Sequence, residues 1–452
     1  MKIAIKRVQR QAVLGYAERA QFGAKLKTTK FFLMAALALT FAACSNDDND
    51  ILTPAQPAKA EGIPFTATIS IDNGAATRAI TESGSTLETS WAQNDKVALI
   101  HNGVSDVMTV SSVSGGVATI TGTITGSPSG SDPVTIIYPS AAADGATGNV
   151  KSDLLAAQDG TLTGTSGTSI AEKYDVRKGS GTLNATGTSL SGTVTLTNQN
   201  AIFKLTLKNI DATADVSATS VKIYNQENTL LTTVTPASSY EKVMYVALPT
   251  TATTLKFSVT DGTTNYFNMA SSLSLAANYY QSTIKLATVG DVILSSGKCA
   301  KAGTSGAVAM IAYLGNGSDC TNGLAIQLNS SPESKKWADG TTYPAKEYAE
   351  GLTAVPGGTW RLPSKADWQN MFLGCATSGD ASASDYMDPI AGFKAKIAAT
   401  GTTWLSYYYW SSTDSGSDAW SVYVYLSDSL AYARFGEGGT SLTVSVLGCL
   451  AF

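Results

Sequence analysis

Cysteine is the residue of this chain whose placement points most directly to chemistry. Cys44, one of five cysteines, follows the small residues Ala42 and Ala43 and closes an uncharged run that begins at residue 31, just after a stretch with three lysines. A basic stretch, a short apolar stretch and small residues before a cleavage point are typical of an export signal. The run is shorter than the roughly 20 residues needed to cross a bilayer. We therefore expect a signal peptide over 1–43 and a lipid on the Cys44 thiol. The first part of that range adds nothing to the signal, so we expect the start of the sequence to be over-extended.

The other four cysteines are Cys299, Cys320, Cys375 and Cys449. Their even number in an exported chain predicts two disulfides, with three connectivities open. A zinc site is the competing interpretation, but the chain has no CxxC pair and its single histidine, His101, lies far away in sequence. We expect His101 to face solvent without a nucleophile beside it, and we expect no enzyme activity.

Charge excludes one class of partner. Without residues 1–43 the chain carries 23 basic and 34 acidic residues. An acidic surface without a basic patch is unsuited to nucleic acid.

The elements that position these residues are mostly strands. Phe65, Ala67, Ile69 and Ile71 alternate with hydroxyl residues, as expected of a strand with one apolar face. Similar short runs recur between Gly/Ser turns, whereas 140–182 is polar and predicts loops. After a lipidated tether over 44–62, we predict one β-sandwich domain over 63–192 and a second over 193–288.

The last segment, 289–452, is predicted to be an α+β domain. Ser364 is placed to cap a helix, with Asp367 near the capping-box position. Strands follow over 407–410, 420–426, 431–435 and 442–447.

Residues 45–288 resemble the fimbrillin-like pilins of Bacteroidales. The resemblance rests on the residues before Cys44, the 65–71 strand, Thr77-Arg78-Ala79, Trp91 with Asn94-Asp95-Lys96-Val97, 201–207 and Ala277-Asn278-Tyr279-Tyr280. The acidic cluster after Cys44 resembles the signal that sends such lipoproteins to the outer face of the outer membrane. The resemblance implies two Greek-key or transthyretin-like sandwiches.

The same resemblance implies processing and assembly. An Arg-directed protease would cut after Arg78, Ala79 would become the N-terminus, and the first strand would leave with the lipid. A neighbouring pilin subunit would then add a strand to the open groove.

Residues 289–452 resemble C-type-lectin-like domains. Trp360-Arg361-Leu362-Pro363-Ser364 continues to Trp368, and is followed by Tyr409-Trp410-Ser411-Ser412, Ala419-Trp420 and Leu450-Ala451-Phe452. The resemblance implies a disulfide between Cys375 and Cys449, which leaves Cys299 with Cys320. It also implies a glycan or surface-protein ligand, for which the candidate contacts are Tyr408, Trp410, Asp414, Asp418 and Trp420.

No cofactor is expected. The acid-amide-proline and Trp-Asn-Asp triplets of calcium-dependent lectins are absent from the sequence. Because the last predicted strand belongs to the lectin-like domain, we expect no strand to be left for donation, which would make the chain the adhesive tip subunit of a pilus (fimbrium). The alternative is a surface lipoprotein that stays anchored in the outer membrane and never polymerises.

Overall fold

The computed structural model describes residues 62–71, 74–75, 80–84, 86–164, 168–236, 238, 241–251, 254–272, 275–277, 279–315, 323–404 and 406–452. Strands account for 48% and helices for 9% of the structure over these residues, so the prediction of a mostly β protein is confirmed. Among the described residues, no helix has the length and hydropathy that crossing a membrane requires. The residues predicted for lipidation and processing, Cys44, Arg78 and Ala79, lie outside the described ranges.

The first region is a seven-stranded closed barrel in the order β1-β11-β10-β8-β5-β6-β7, with a small sheet, β2-β4-β3, beside it. Its strands are β1 (Ile63–Ile71), β2 (Gly74–Ala75), β3 (Thr81–Ser83), β4 (Thr86–Ser90), β5 (Lys96–His101), β6 (Val104–Ser114), β7 (Val117–Ile124), β8 (Pro133–Tyr138), β10 (Arg177–Thr182) and β11 (Val194–Asn198). Strand β9 (Ala157–Gln158) lies between β8 and β10 along the chain but pairs with β14 in the second region.

Two features of the barrel differ from the sequence-based expectation. Strand β11 pairs with β1 and β10, so the barrel extends past the predicted boundary at 192. Strand β10 lies in the segment predicted as loops, where Gly179 and Gly181 interrupt any apolar alternation. A Cβ on Gly179 would come within 2.6 Å of the Thr195 carbonyl oxygen, so the close approach of β11 requires glycine there.

The second region is a sandwich of a three-stranded sheet, β15-β12-β18, and a five-stranded sheet, β17-β16-β13-β14-β9. Its strands are β12 (Asn200–Asn209), β13 (Ser220–Tyr224), β14 (Leu230–Val234), β15 (Val243–Pro249), β16 (Thr254–Thr260), β17 (Asn265–Ser272) and β18 (Tyr279–Leu286). Phe203, Leu205 and Phe257 are fully buried in its core.

The third region combines two six-stranded sheets, β20-β19-β21-β22-β30-β24 and β23-β29-β26-β27-β28-β25, with three α-helices. Its elements are β19 (Val292–Leu294), β20 (Cys299–Ala300), β21 (Ala307–Tyr313), β22 (Leu324–Gln327), β23 (Ser334–Lys336), α1 (Pro344–Glu350), β24 (Thr359–Arg361), α2 (Lys365–Gly374), β25 (Tyr386–Met387), α3 (Ala391–Ala399), β26 (Tyr407–Asp414), β27 (Asp418–Leu426), β28 (Ala431–Gly439), β29 (Thr443–Ser445) and β30 (Cys449–Ala451).

Helix α2 begins where the sequence predicts. Ser364 accepts a hydrogen bond from the Asp367 backbone, and Asp367 accepts one from the Ser364 backbone at 2.7 Å, which completes the capping box. Its buried face presents Trp368, Met371 and Phe372 to a core shared with both sheets. The α+β prediction for this region is therefore confirmed in its elements.

The disulfide expected between Cys375 and Cys449 is not formed. Both residues are buried free thiols, and Cys299 is also free; Cys320 lies outside the described residues. The Cys375 thiol donates to the Ala312 carbonyl on β21, while Cys449 sits between β22 and β24. Burial raises the pKa of both thiols to about 12, so they remain protonated at neutral pH.

Candidate functional site

The outer face of the sheet β26-β27-β28 is unusually rich in tyrosine. Along β27, Val422 and Val424 point into the core, and Tyr423 and Tyr425 therefore point outward. Strand β28 repeats the pattern, with Ala433 buried and the residues on either side of it turned outward. We call the outward set the tyrosine face: Tyr386, Tyr408, Tyr423, Tyr425, Tyr432 and Arg434.

Strand register brings these side chains together. Tyr408 is opposite Tyr423 and Tyr425 is opposite Tyr432, while Arg434 pairs with Tyr423 on one side and Tyr386 on the other. Ring centroids are 4.6 Å apart for the first pair and 5.1 Å apart for the second. Such cross-strand aromatic pairs stabilise the sheet and hold the rings in fixed positions.

The outer rings of this face are open to solvent. Tyr408 is 58% exposed and Tyr386 is 54% exposed. The Tyr386 hydroxyl donates to Asp388 at 3.0 Å, and this bond raises the pKa of the phenol. Burial raises the pKa of Tyr423 as well. Both phenols are therefore neutral at physiological pH, and each presents an apolar ring and a polar tip.

A trough lies next to the tyrosine face. Trp410 forms its floor, fully buried and donating through Nε1 to the Lys335 carbonyl at 2.8 Å. Ser421 is opposite Trp410 and Gly438 lies beside it, where a Cβ would come within 3.4 Å of the indole. These small residues leave a cavity of about 430 Å³, which Tyr408 and Leu442 also line.

A second cavity, of about 860 Å³, lies over the tyrosines and Arg434. Tyr408 lines this cavity as well as the trough, so the two form one continuous surface. Cavities of these sizes match those that hold small-molecule ligands.

The candidate contacts predicted from sequence are divided by the structure. Tyr408 and Trp410 border the trough, as described above. Trp420 is half-buried against the core of the third region, and its ring is covered by the Lys365 ammonium, 3.3 Å from the centroid. Asp414 accepts from the Gly416 backbone in the β26–β27 turn, and Asp418 begins the next strand. Within the described residues no group of acidic, His or Cys side chains is placed to hold a metal ion.

Four of the five tyrosines and Arg434 were missed by sequence reasoning. The signal was the alternation Val422-Tyr423-Val424-Tyr425 and Ala431-Tyr432-Ala433-Arg434, in which aliphatic residues mark the buried face. The contact between β25 and β28, which adds Tyr386, carries no local signal.

His101 is buried rather than solvent-facing, which corrects the expectation from sequence. Strand β5 has both faces covered, because Val97 and Leu99 face the barrel core while Ala98 and Ile100 pack in a separate buried cluster with Tyr174 and Ile202. The imidazole Nε2 is 3.5 Å from an Asp106 carboxylate oxygen. The other oxygen of that carboxylate accepts a hydrogen bond from the Thr125 hydroxyl. The contacts of the His101–Asp106 pair are therefore structural.

Strand β1 is a second feature of functional interest. It pairs antiparallel with β7 over eight residues and parallel with β11 over three, so both of its edges are hydrogen-bonded. Phe65 and Ile69 are 1% and 0% exposed, and Ala67 and Ile71 are also buried in the barrel core. The strand therefore supplies both a backbone ladder and alternate side chains to the barrel.

The segment that follows the predicted processing site is fixed to the second sandwich. Glu82 accepts hydrogen bonds from Lys204 at 2.8 Å, Tyr245 at 2.7 Å and Tyr279 at 2.9 Å. Gln281 donates to Glu82 at 3.0 Å and to the Gly84 carbonyl at 2.7 Å. The hydrogen bond from Lys204, followed by that from Tyr245, lowers the pKa of Glu82. We call this arrangement the Glu82 clamp.

Comparison with known proteins gives no family assignment. No protein-family model and no curated protein matches the chain. Among solved structures, a fimbrial protein from Bacteroides ovatus is 14% identical, with 87% of this chain and 100% of that chain covered and a TM-score of 0.25. A fimbrial assembly protein from Parabacteroides distasonis is 15% identical over 49% and 90% of the chains, with a TM-score of 0.28. The shaft pilin spaA of Lactobacillus rhamnosus GG is 9% identical over 50% and 97%, with a TM-score of 0.21. These three neighbours are fimbrial or pilus proteins.

Proposed function

We propose that this chain is an adhesive subunit of a bacterial surface pilus, made as a lipoprotein precursor. It would be lipidated at Cys44, carried to the outer membrane and cut after Arg78 during assembly. A strand from a neighbouring pilin subunit would then take the place of β1. After processing the subunit would be part of an extracellular fimbrium.

The observation that carries this proposal is the way β1 completes the barrel. It is a single strand with both edges paired and four alternate side chains in one core. Those are the contacts that an incoming strand would reproduce in β-strand addition. The Glu82 clamp holds the chain that follows Arg78, so a cut there would release β1 and leave the new N-terminal segment in place.

We also propose that the subunit occupies the pilus tip. Strand β30 is paired with β22 on one side and β24 on the other. Leu450 is fully buried, and the Phe452 ring stacks on Phe267 of the second sandwich. This strand is committed to its own sheet and is unavailable for donation, while the tyrosine face would provide the adhesive contact.

The alternative function is that of a permanently anchored surface lipoprotein that binds a glycan or a protein. The observation that favours it is that the barrel is already closed by β1, so the uncut chain is a complete fold.

An Arg-specific protease separates the two functions. Purified precursor is digested under native conditions and its fragments are weighed by mass spectrometry, with Arg78→Ala as the matched control. The pilus proposal predicts one early cut, after Arg78, that the control lacks. If the wild-type chain is not cut there, or is cut and unfolds without accepting a donor peptide, the permanently anchored function replaces it.

A further inference from the structure

The tyrosine face carries one cation, Arg434, whose charge partners decide what the face can bind. Of the three arginines in the described ranges, Arg177 is buried beside Asp175 at 3.2 Å, and Arg361 forms a two-bond pair with Asp367. Arg434 is exposed, and within the described part of the chain no carboxylate is paired with it.

The two acids next to Tyr386 along the chain have partners of their own, and Glu437, three residues after Arg434, lines the trough instead. Asp385 lines the cavity over the tyrosines and is paired with Lys365 at 2.7 Å. Asp388 accepts from the Tyr386 hydroxyl. The guanidinium of Arg434 therefore has no acidic partner among the described residues, and strand register places Arg434 between Tyr386 and Tyr423. Its planar fork matches a carboxylate, which it can bind through two parallel hydrogen bonds.

The surroundings of Arg434 select among carriers of a carboxylate. A nucleic acid would need several cations along its backbone, and this face has one. A fatty acid would need an enclosed apolar tunnel, whereas these cavities are open and bordered by phenol and serine hydroxyls. A saccharide has apolar C–H faces and many hydroxyls, and this combination complements tyrosine rings with polar tips.

We propose that the tyrosine face binds an acidic saccharide, a glycan that bears a uronic or sialic acid residue. The sugar carboxylate would pair with Arg434, and the adjoining sugar would pass over Tyr408 into the trough above Trp410. This inference rests on the proposed adhesive function and names its ligand class.

Titration calorimetry with defined sugars tests the proposal on the full chain. The probes are trigalacturonic acid and 3′-sialyllactose, which distinguish the two sources of the carboxylate, and lactose as the neutral reference. Wild type should bind at least one acidic probe and bind lactose at least about tenfold more weakly, because a charge-assisted hydrogen bond is lost.

Three variants localise the effect. Arg434→Gln should weaken binding of the acidic probe by about tenfold or more, and Arg434→Lys by less, because the charge remains but the fork is lost. Tyr408→Ser should weaken binding too, since Tyr408 borders both cavities. Lys298→Gln, at an exposed cation in the turn between β19 and β20, should change nothing.

Three results would overturn the inference: neither acidic probe binds, lactose binds as tightly as they do, or Arg434→Gln leaves the affinity unchanged. None of these results would contradict the pilus proposal, because cutting after Arg78 and exchange of β1 are measured without a ligand.

Discussion

Strands β1 and β30 each lie between two neighbouring strands, yet they are integrated in different ways. β1 contributes nine residues and four buried side chains to one core. β30 contributes three residues, but Cys449 lies in the core around α2 and Leu450 lies in the core shared with the second sandwich. A strand that serves one core can be exchanged without disturbing other domains, whereas a strand that joins two cores cannot.

The largest expected effect is on the free energy of unfolding, and it is tested by substituting one residue in each strand. Ile69→Ala and Leu450→Ala should each lower the free energy of unfolding of the uncut chain by about 2–5 kcal/mol, because both side chains are fully buried. After cutting and addition of a donor strand, the Ile69→Ala effect should vanish, since that residue has left with β1, while the Leu450→Ala effect should persist. Urea denaturation before and after processing measures both. A persistent effect of Ile69→Ala would mean that β1 never leaves.

The next effect concerns the ion pair at the start of α2. Asp367→Asn should destabilise the third region by about 2 kcal/mol, because it weakens the bond from the partly exposed Arg361 and one half of the capping box. Burial opposes ionisation of Asp367, but hydrogen bonds from Arg361 and Ser364 outweigh it and lower its pKa. Lys346→Gln, on the exposed side of α1, is the control. Circular dichroism melts should show a loss for Asp367→Asn alone, and equal melting of both variants would contradict this account.

The Glu82 clamp should produce a smaller effect. Glu82→Gln should lower the free energy of unfolding by about 1–2 kcal/mol, since the carboxylate is about one-fifth exposed. Glu88→Gln, exposed on the same hairpin, should have no effect. The test is urea denaturation at neutral pH, and an equal loss in both variants would show that the hairpin, rather than the clamp, is responsible.

The clamp also predicts a pH dependence. The pKa of Glu82 is lowered in the folded chain, so its contribution is fully present above the ordinary value of 4.5 and is lost as the pH falls through the folded value. The pKa of Lys204 is raised, so its share is present below its ordinary value of 10.5 and is lost as the pH rises beyond it. The stability difference between wild type and Glu82→Gln should therefore be flat between these limits and shrink outside them. A difference that varies across neutral pH would contradict the clamp.

The smallest effect is expected from the acidic residues near the β26–β27 turn. Asp418→Asn and addition of a calcium chelator should leave ligand binding unchanged, because the described residues there form no metal-holding group. The binding titration that tests Arg434 serves as the measurement, and a loss of affinity with chelator would restore the calcium hypothesis.

Secondary structure was predicted well from the sequence where a local residue pattern determines the element. The alternation of β1 and the cap at Ser364 are local patterns, and both elements form where those patterns place them. The prediction was poor where tertiary contacts decide. β5 is covered on both faces, which buries His101. β10 contains Gly179 and Gly181, which are required because β11 approaches closely there. Part of the tyrosine face was predictable, because aliphatic and aromatic residues alternate along β27 and β28. The pairing of β25 with β28, which adds Tyr386, is encoded by no local pattern.

The most direct test of exchangeable β1 is native mass spectrometry of chain cut after Arg78 and mixed with a labelled peptide of sequence Ile63–Ile71. The account predicts that the peptide replaces the released fragment at one copy per chain. A control peptide with serine at the positions of Phe65, Ala67, Ile69 and Ile71 should not bind, because those side chains fill the barrel core. Retention of the original fragment against excess peptide, or equal binding of the serine peptide, would contradict the exchange of β1.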